Sequence, residues 1–424
     1  MLIFKQIFAY LKALFIGNAV KNSPEDSLTS ENLNQNIASQ NGCLILLPSD
    51  VPSRPPLMYE LKGLLLMPKK INSTRRIFLA NNEAITLYCP GVGNFLEKTQ
   101  EQISEMTCTD GAIFTASKEN VSFSMLSCRS PIKESLVEED RCGNSRKGTK
   151  VLIGWISSTV FKRQILVCHN KDTMRTSYTH STINGTGIEA KDLGNARPGF
   201  KKGSYFPGID LETLYSQSNQ KSWFNFTFGS ELSKKYIDVP KNLYFARGHL
   251  TPEADFVYDS MQDATFYHIN AAPQYQVFNN GNWKQLEIAV RELSAKLNRD
   301  LEVLTGTYGT LSLPDENGNK INIFLGKDVN GNEVIPAPLF FWKVVTDPIL
   351  KQANAFIGLN NPFVVELIDE HKLCKDMWND ISLTIASRHD FSKGYLYCCK
   401  VEELRSAIPD IPSIDQRGLL RFER

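Results

Sequence analysis

Ala246-Arg247-Gly248-His249, Asn270-Ala271-Ala272-Pro273-Gln274, Phe278-Asn279-Asn280-Gly281-Asn282-Trp283 and Leu286-Glu287, closed by Arg291, decide how this chain reads. A histidine, several amides and a carboxylate lie between positions 249 and 287, with an arginine at each end. Hydrolysis of a phosphodiester calls for such groups. An imidazole titrates near neutrality and can take a proton from water. Amide and carboxylate oxygens suit a hard cation such as Mg²⁺, which keeps most of its water and needs few protein ligands. Guanidinium groups meet phosphate oxygens bidentately.

Each residue also has a plainer reading. A lone histidine is more often structural than catalytic, so His249 gains weight only from its neighbours. A helix starting near Asn279 would set 279, 283, 287 and 291 along one side. Asn279 would then be either an N-cap or a Mg²⁺ ligand. Glu287 either holds a water of that ion or pairs with Arg291 one turn on. Trp283 reads as core. Asn270 and Gln274 flank Pro273, and their amides either bond substrate or hold the loop together.

The rest of the chain sets the context. With 424 residues, 42% apolar and 22% charged, it can bury a large core. Its 47 basic and 46 acidic residues give no overall pull toward a polyanion. Between Arg146 and Lys202, however, eleven Lys/Arg face three Asp/Glu, an excess of +8. That is either a polyphosphate footprint or a solvated surface. Nine cysteines without any Cys-x-x-Cys pair argue against a thiolate zinc site and suit disulfides. Their odd number leaves at least one thiol free or bonded between chains. Sequons stand at Asn72, Asn120, Asn184 and Asn225.

Four segments are expected. Residues 1–19 read as a signal peptide, interrupted by Lys12, or else as a retained amphipathic helix. Residues 20–41 form a polar linker. Residues 42–148 form a small β-rich module, with strands at Cys43–Leu47, Arg76–Ala80 and Ala84–Cys89. Residues 149–424 form the second domain, with Asn144–Gly148 as the boundary. In that domain strands are expected at Val151–Trp155 and Gln164–Cys168, at Leu243–Ala246 leading into an Arg-Gly-His turn, at Thr265–Ile269 and at Pro338–Val345. A helix is expected over Trp283–Leu297, striped by Trp283, Leu286, Val290 and Leu293. No run is long and apolar enough to span a membrane.

Taken together, the spaced motifs resemble the DNA/RNA non-specific endonuclease family. Arg247–Phe256 and Ala264–Tyr267 are similar to its secreted arthropod branch, and the first module looks like the one those members carry. The resemblance implies an α+β fold, a ββα-metal (His-Me finger) nuclease domain with a mixed sheet and helices behind the β-rich module. It implies a secreted, disulfide-bonded, metal-dependent enzyme that cuts DNA and/or RNA, double-stranded RNA included, to 5′-phosphorylated oligonucleotides. In that scheme His249 is the general base and Asn279 the direct Mg²⁺ ligand, with Mn²⁺ able to stand in. Glu287 acts through metal-bound water, and Arg247 and Arg291 neutralise phosphate. Asn270 supports the site, and Arg197 and Gln274 bind substrate. Many members carry Asp immediately before Arg-Gly-His, where this chain has Ala246. Two other readings stand beside this one: a non-catalytic nucleic-acid-binding relative, and an intracellular enzyme of the endonuclease G type.

Overall fold

The computed structural model describes residues 42–116, 118–156, 161–192 and 196–422. The expected signal peptide and polar linker lie outside them. The scaffold is an antiparallel sheet of eight strands. In chain order its first four are β1 (Ser135–Cys142), β2 (Gly148–Ile156), β3 (Phe161–Asn170) and β4 (Arg175–Ile183). A two-stranded ribbon follows, β5 (Phe245–His249) and β6 (Ala271–Tyr275). The large sheet then resumes with β7 (Leu301–Tyr308), β8 (Phe340–Asp347), β9 (Gln352–Leu359) and β10 (Leu396–Cys399). Across the sheet the order is β10-β9-β8-β7-β4-β3-β2-β1.

Four helices matter to the site: α1 (Leu211–Tyr215), α2 (Gln217–Tyr236), α3 (Lys284–Leu297) and α4 (Val401–Ala407). The apolar stripe of α3, Leu286, Val290 and Leu293, joins Val303, Phe341, Val345 and Phe356 in one core. Alternate residues of the same strands, Leu304, Trp342, Val344 and Ile357, meet Val401 and Leu404 of α4 on the other face. With both faces covered, every residue of β8 is buried. That is why this antiparallel strand reads as a near-continuous apolar run.

The N-terminal module has its own core around Ile45, Ile77, Met106 and Phe114. It is stapled by Cys43–Cys108 and Cys89–Cys128. Such staples suit a unit too small to bury much apolar surface by itself. Leu57, Tyr59 and Tyr88 extend into the core of the larger domain. Across the contact Arg75 pairs with Asp192, and the Tyr258 hydroxyl donates to the Leu66 carbonyl. The large sheet crosses the boundary expected at 144–148. β1 and β2 form a hairpin across it, and Gly143 and Arg146 take positive φ in the turn. The polar residues there supply turn conformations, and the large sheet begins at Ser135.

Candidate active site

β5 and β6 pair antiparallel, with Arg247 opposite Pro273, Gly248 opposite Ala272 and His249 opposite Ala271. Arg-Gly-His therefore lies within a strand, not in the turn expected after one. The strand expected at Thr265–Ile269 is instead a loop running into a 3₁₀ turn, His268–Asn270. Thr265 N–H reaches the Gln262 carbonyl and Asn270 N–H reaches the Tyr267 carbonyl, and the segment's only strand-like pairing among the described residues is a single bridge of Tyr267 with Lys201. This tertiary pattern overrides the β propensity of the segment.

Because side chains alternate along a strand, Arg247 and His249 share one face of the ribbon, while Ala246 and Gly248 occupy the other. On that second face Gln274 is wholly buried, with neither amide atom hydrogen-bonded among the described residues. A Cβ on Gly248 would lie 2.3 Å from its Oε1 and 2.6 Å from its Cβ. Gln274 thus packs beneath Gly248. Ala246, at the position where many relatives have Asp, also lies on the face away from His249.

His249 sits between two aromatic rings, Phe200 and Phe266, each 4.9 Å away between centroids. Burial first, and the Arg197 charge second, push its pKa down to about 3, so the ring is neutral and able to accept a proton. Its Nε2 lies 3.4 Å from the Thr265 hydroxyl, which donates to the Gln262 carbonyl at 2.7 Å. With that proton committed, the hydroxyl is left as an acceptor. The long contact then favours a proton on Nε2 and a free lone pair on Nδ1. Asn270 holds the loop behind it. Its Oδ1 accepts from Thr251 N–H at 3.0 Å, and its Nδ2 donates to the carbonyls of Thr251 and Thr265 at 2.9 Å. Asn270 is wholly buried and positions the loop without reaching solvent.

The helix starts earlier than expected. Gln276–Phe278 is already helical, and Asn279–Trp283 forms a π-type turn broken at Gly281. Asn279 is therefore inside the helical run and is not its N-cap. Single π turns of this kind are frequent at functional sites. Asn282 fastens the turn to the 387–394 loop, donating to the carbonyls of Ser387 and Gly394 at 2.7 Å. Asn279 donates to the Gln276 side chain at 3.2 Å, and no hydrogen-bond donor occupies its Oδ1 among the described residues.

Two turns along, burial pushes the Glu287 carboxyl up to about 7, against the lowering pull of Lys343 and Arg291. Lys343 comes from the middle of β8, is 1% exposed, lies over the Trp283 ring and donates to the Thr305 hydroxyl. Arg291 is paired with buried Asp255 at 2.8 Å. It thus acts on Glu287 through space, and its guanidinium is already engaged. Arg197 is largely exposed, pairs with Glu253, and lines a 330 Å³ cavity that also includes Lys191, Gln262 and Phe266. The Glu253–Asp255 turn thus links Arg197 to the Arg291–Glu287 group. Arg247 lies over the Tyr215 ring, with Nη2 2.7 Å from the Glu212 carboxylate.

The donor set fits a hard divalent ion. It offers an amide oxygen with no donor on it and, two turns on, a carboxylate whose burial is not balanced by its cations. No cluster of three His, Cys, Asp or Glu side chains suited to a metal occurs among the described residues. An ion here would have to keep most of its water, as Mg²⁺ does.

Residues 145–404 match the family described as DNA/RNA non-specific endonuclease. The chain belongs to that family. It is 30% identical over 372 residues to a salivary endonuclease of Lutzomyia longipalpis, covering 86% of this chain and 83% of the relative. A salivary endonuclease of Culex quinquefasciatus is 22% identical, covering 80% and 87%. A solved complex of EndoG with its inhibitor EndoGI aligns over 50% of this chain and 78% of that one, at 18% identity and a TM-score of 0.32. As a member of that family, the chain is a nuclease, and its fold is α+β. The nuclease domain carries two further disulfides, Cys142–Cys168 and Cys374–Cys399, and Cys398 is a buried free thiol. Sequence reading missed Lys343, Asp255, Glu212 and Phe200. Only Lys343 carried a signal, as the single charge within Phe340–Val345.

Proposed function

We propose that the chain is a secreted, Mg²⁺-dependent, sugar-non-specific endonuclease that cleaves DNA and/or RNA to 5′-phosphorylated oligonucleotides, with His249 as general base. The observation that carries this reading is the His249 imidazole on the same ribbon face as Arg247, set between the rings of Phe200 and Phe266. In this mechanism Nδ1 takes a proton from the attacking water as the new P–O bond forms, and the 3′ oxygen departs. The substrate's negative charge beside the ring favours its protonated form, raising a pKa that burial has lowered. Arg197 faces the phosphate oxygens once Glu253 gives way, and Arg247 adds its charge from the same ribbon face as His249. Arg291, tied to Asp255, contributes its charge without direct contact. Asn279 would hold the ion and Glu287 would reach it through water. When bound, Mg²⁺ supplies positive charge for the phosphate and the departing oxygen. Backbone recognition of this kind carries no base information.

Secretion is supported by the four disulfides and by relatives named as salivary. The exposed sequon residues Asn72, Asn120 and Asn225 are open to modification in that compartment. The test is cleavage of matched single- and double-stranded DNA and RNA with Mg²⁺ titrated and then chelated. His249→Ala should lose about 10²- to 10⁴-fold in kcat. Cleavage at the unaltered rate, or indifference to chelation, would overturn the assignment.

A further inference from the structure

The face of the ribbon that carries His249 also carries an anion cradle, which the chain fills with its own carboxylate. Glu212, on α1, lies with Oε2 2.7 Å from Arg247 Nη2 and Oε1 3.5 Å from His268 Nε2. The carboxylate is well exposed, whereas Arg247 is mostly covered and His268 is buried. The fixed parts of the cluster are therefore the two nitrogen donors, and the movable part is the acid. Arg247 is clamped between the rings of Tyr215 and Phe200, 4.9 and 5.8 Å from its guanidinium carbon. Its Nε is buried with no hydrogen-bond partner among the described residues, so one donor of the fork is still unused. His268 is oriented by the rings of Phe200, Tyr215 and Phe206. An open 460 Å³ cavity lies against this cluster, lined by Phe200, Lys202, Asp210, Glu212 and His268.

We propose that Arg247, His268 and Lys202 form a subsite for the phosphodiester next to the scissile one, and that Glu212 occupies it until substrate arrives. The inference rests on the nuclease reading above. Arg247 and His249 are two residues apart on one strand face, about 6.7 Å along the strand. That separation is of the order of the distance between successive phosphates of a nucleic-acid strand. With His249 at the scissile phosphate, the cradle falls to its neighbour. A phosphate presents oxygens to the same two donors as the carboxylate does, and it also brings the charge that Lys202 and the unused Arg247 Nε–H can meet. An exposed ion pair of this kind contributes little stability by itself, so Glu212 can be displaced. Phe200 contacts both His249 and His268, so the subsite and the base share a wall.

The test measures binding of a fluorescent single-stranded oligonucleotide to the full chain with divalent ions chelated, so that nothing is cleaved. Glu212→Gln removes the competing charge and keeps the side-chain shape, and it should lower Kd by fivefold or more. Lys202→Gln should raise Kd by severalfold. Glu231→Gln makes the same change of net charge at an exposed position on α2 and should stay within twofold. Equal tightening by Glu212→Gln and Glu231→Gln would reduce the effect to net charge and overturn the subsite. So would weaker binding by Glu212→Gln, which would make Glu212 a mere support for Arg247. Cleavage by the unaltered protein and by His249→Ala, with metal restored, separates these failures from failure of the nuclease reading itself.

Discussion

At neutral pH the Glu287 carboxyl, pushed up to about 7 by burial, is divided between its protonated and charged forms. Only the charged form can hold a cation or its water, so protons and metal compete at this residue. Mg²⁺ should raise the melting temperature clearly at pH 8 and much less at pH 6, and the shift should vanish in Glu287→Gln. An equal shift at both pH values would remove Glu287 from the metal site. His249 and Glu287 stand out in the sequence because the proposed chemistry calls for those residue types at a narrow spacing. Their environments do not. The rings that lower His249 and the lysine beneath Glu287 come from positions 200, 266 and 343. Nothing local marks the aromatics as neighbours of the site.

The ribbon and the helix behind it hold the groups at fixed orientation, and their weak point is the close approach at Gly248. A methyl there meets the Gln274 side chain at 2.3 and 2.6 Å. Gly248→Ala should therefore cost about 1–3 kcal/mol, as overpacking generally does, and should lower activity by tilting His249. Part of the loss should return in Gly248→Ala/Gln274→Ser, which removes the obstructing atoms. Urea titration of the four corners of that cycle checks it, and strict additivity would refute the contact. At this scale the sequence predicted the helix well and the ribbon poorly. The α3 stripe repeats at helical spacing over several turns. By contrast Phe245–His249 and Ala271–Tyr275 are five-residue strands holding a glycine and a proline, too short to show alternation. The true β propensity of Thr265–Ile269 was overridden by the turn that Asn270 fastens.

Across the molecule, burial holds three histidines neutral: His249 at about 3, and His169 and His268 at about 4, against an ordinary 6.5. A depressed histidine pKa means that the unfolded chain binds more protons. The stability concerned is fully present above pH 6.5 and is lost as pH falls toward 4. For His169, the most buried of the three, the loss reaches about 3 kcal/mol by pH 4. Glu287 acts in the opposite sense between 4.5 and 7, but three groups outweigh one. Urea midpoints should fall steadily from pH 7 to pH 4.5, with a smaller fall in His169→Gln. A flat profile would contradict the buried, neutral assignment. Cysteine usage gives a second global readout. Alkylation of the denatured, unreduced chain should find one thiol, Cys398.

By itself the sequence determined the nuclease family, the helix that carries Glu287, the apolar strand β8 and the use of disulfides. Each depends on residue type or on a short repeat, which a linear string preserves. Only the tertiary structure decided that the large sheet starts at Ser135, that Gln274 is packing, that Arg291 is tied to Asp255, and that Glu212 covers Arg247. The physical reason is common to all four. Burial and ion pairing depend on which side chains meet in space, and here the partners lie between 26 and 36 residues apart for Gly248–Gln274, Glu212–Arg247 and Asp255–Arg291. The motif Arg247-Gly248-His249 supplies the candidate base. The fold sets His249 between Phe200 and Phe266 and covers the neighbouring arginine with Glu212.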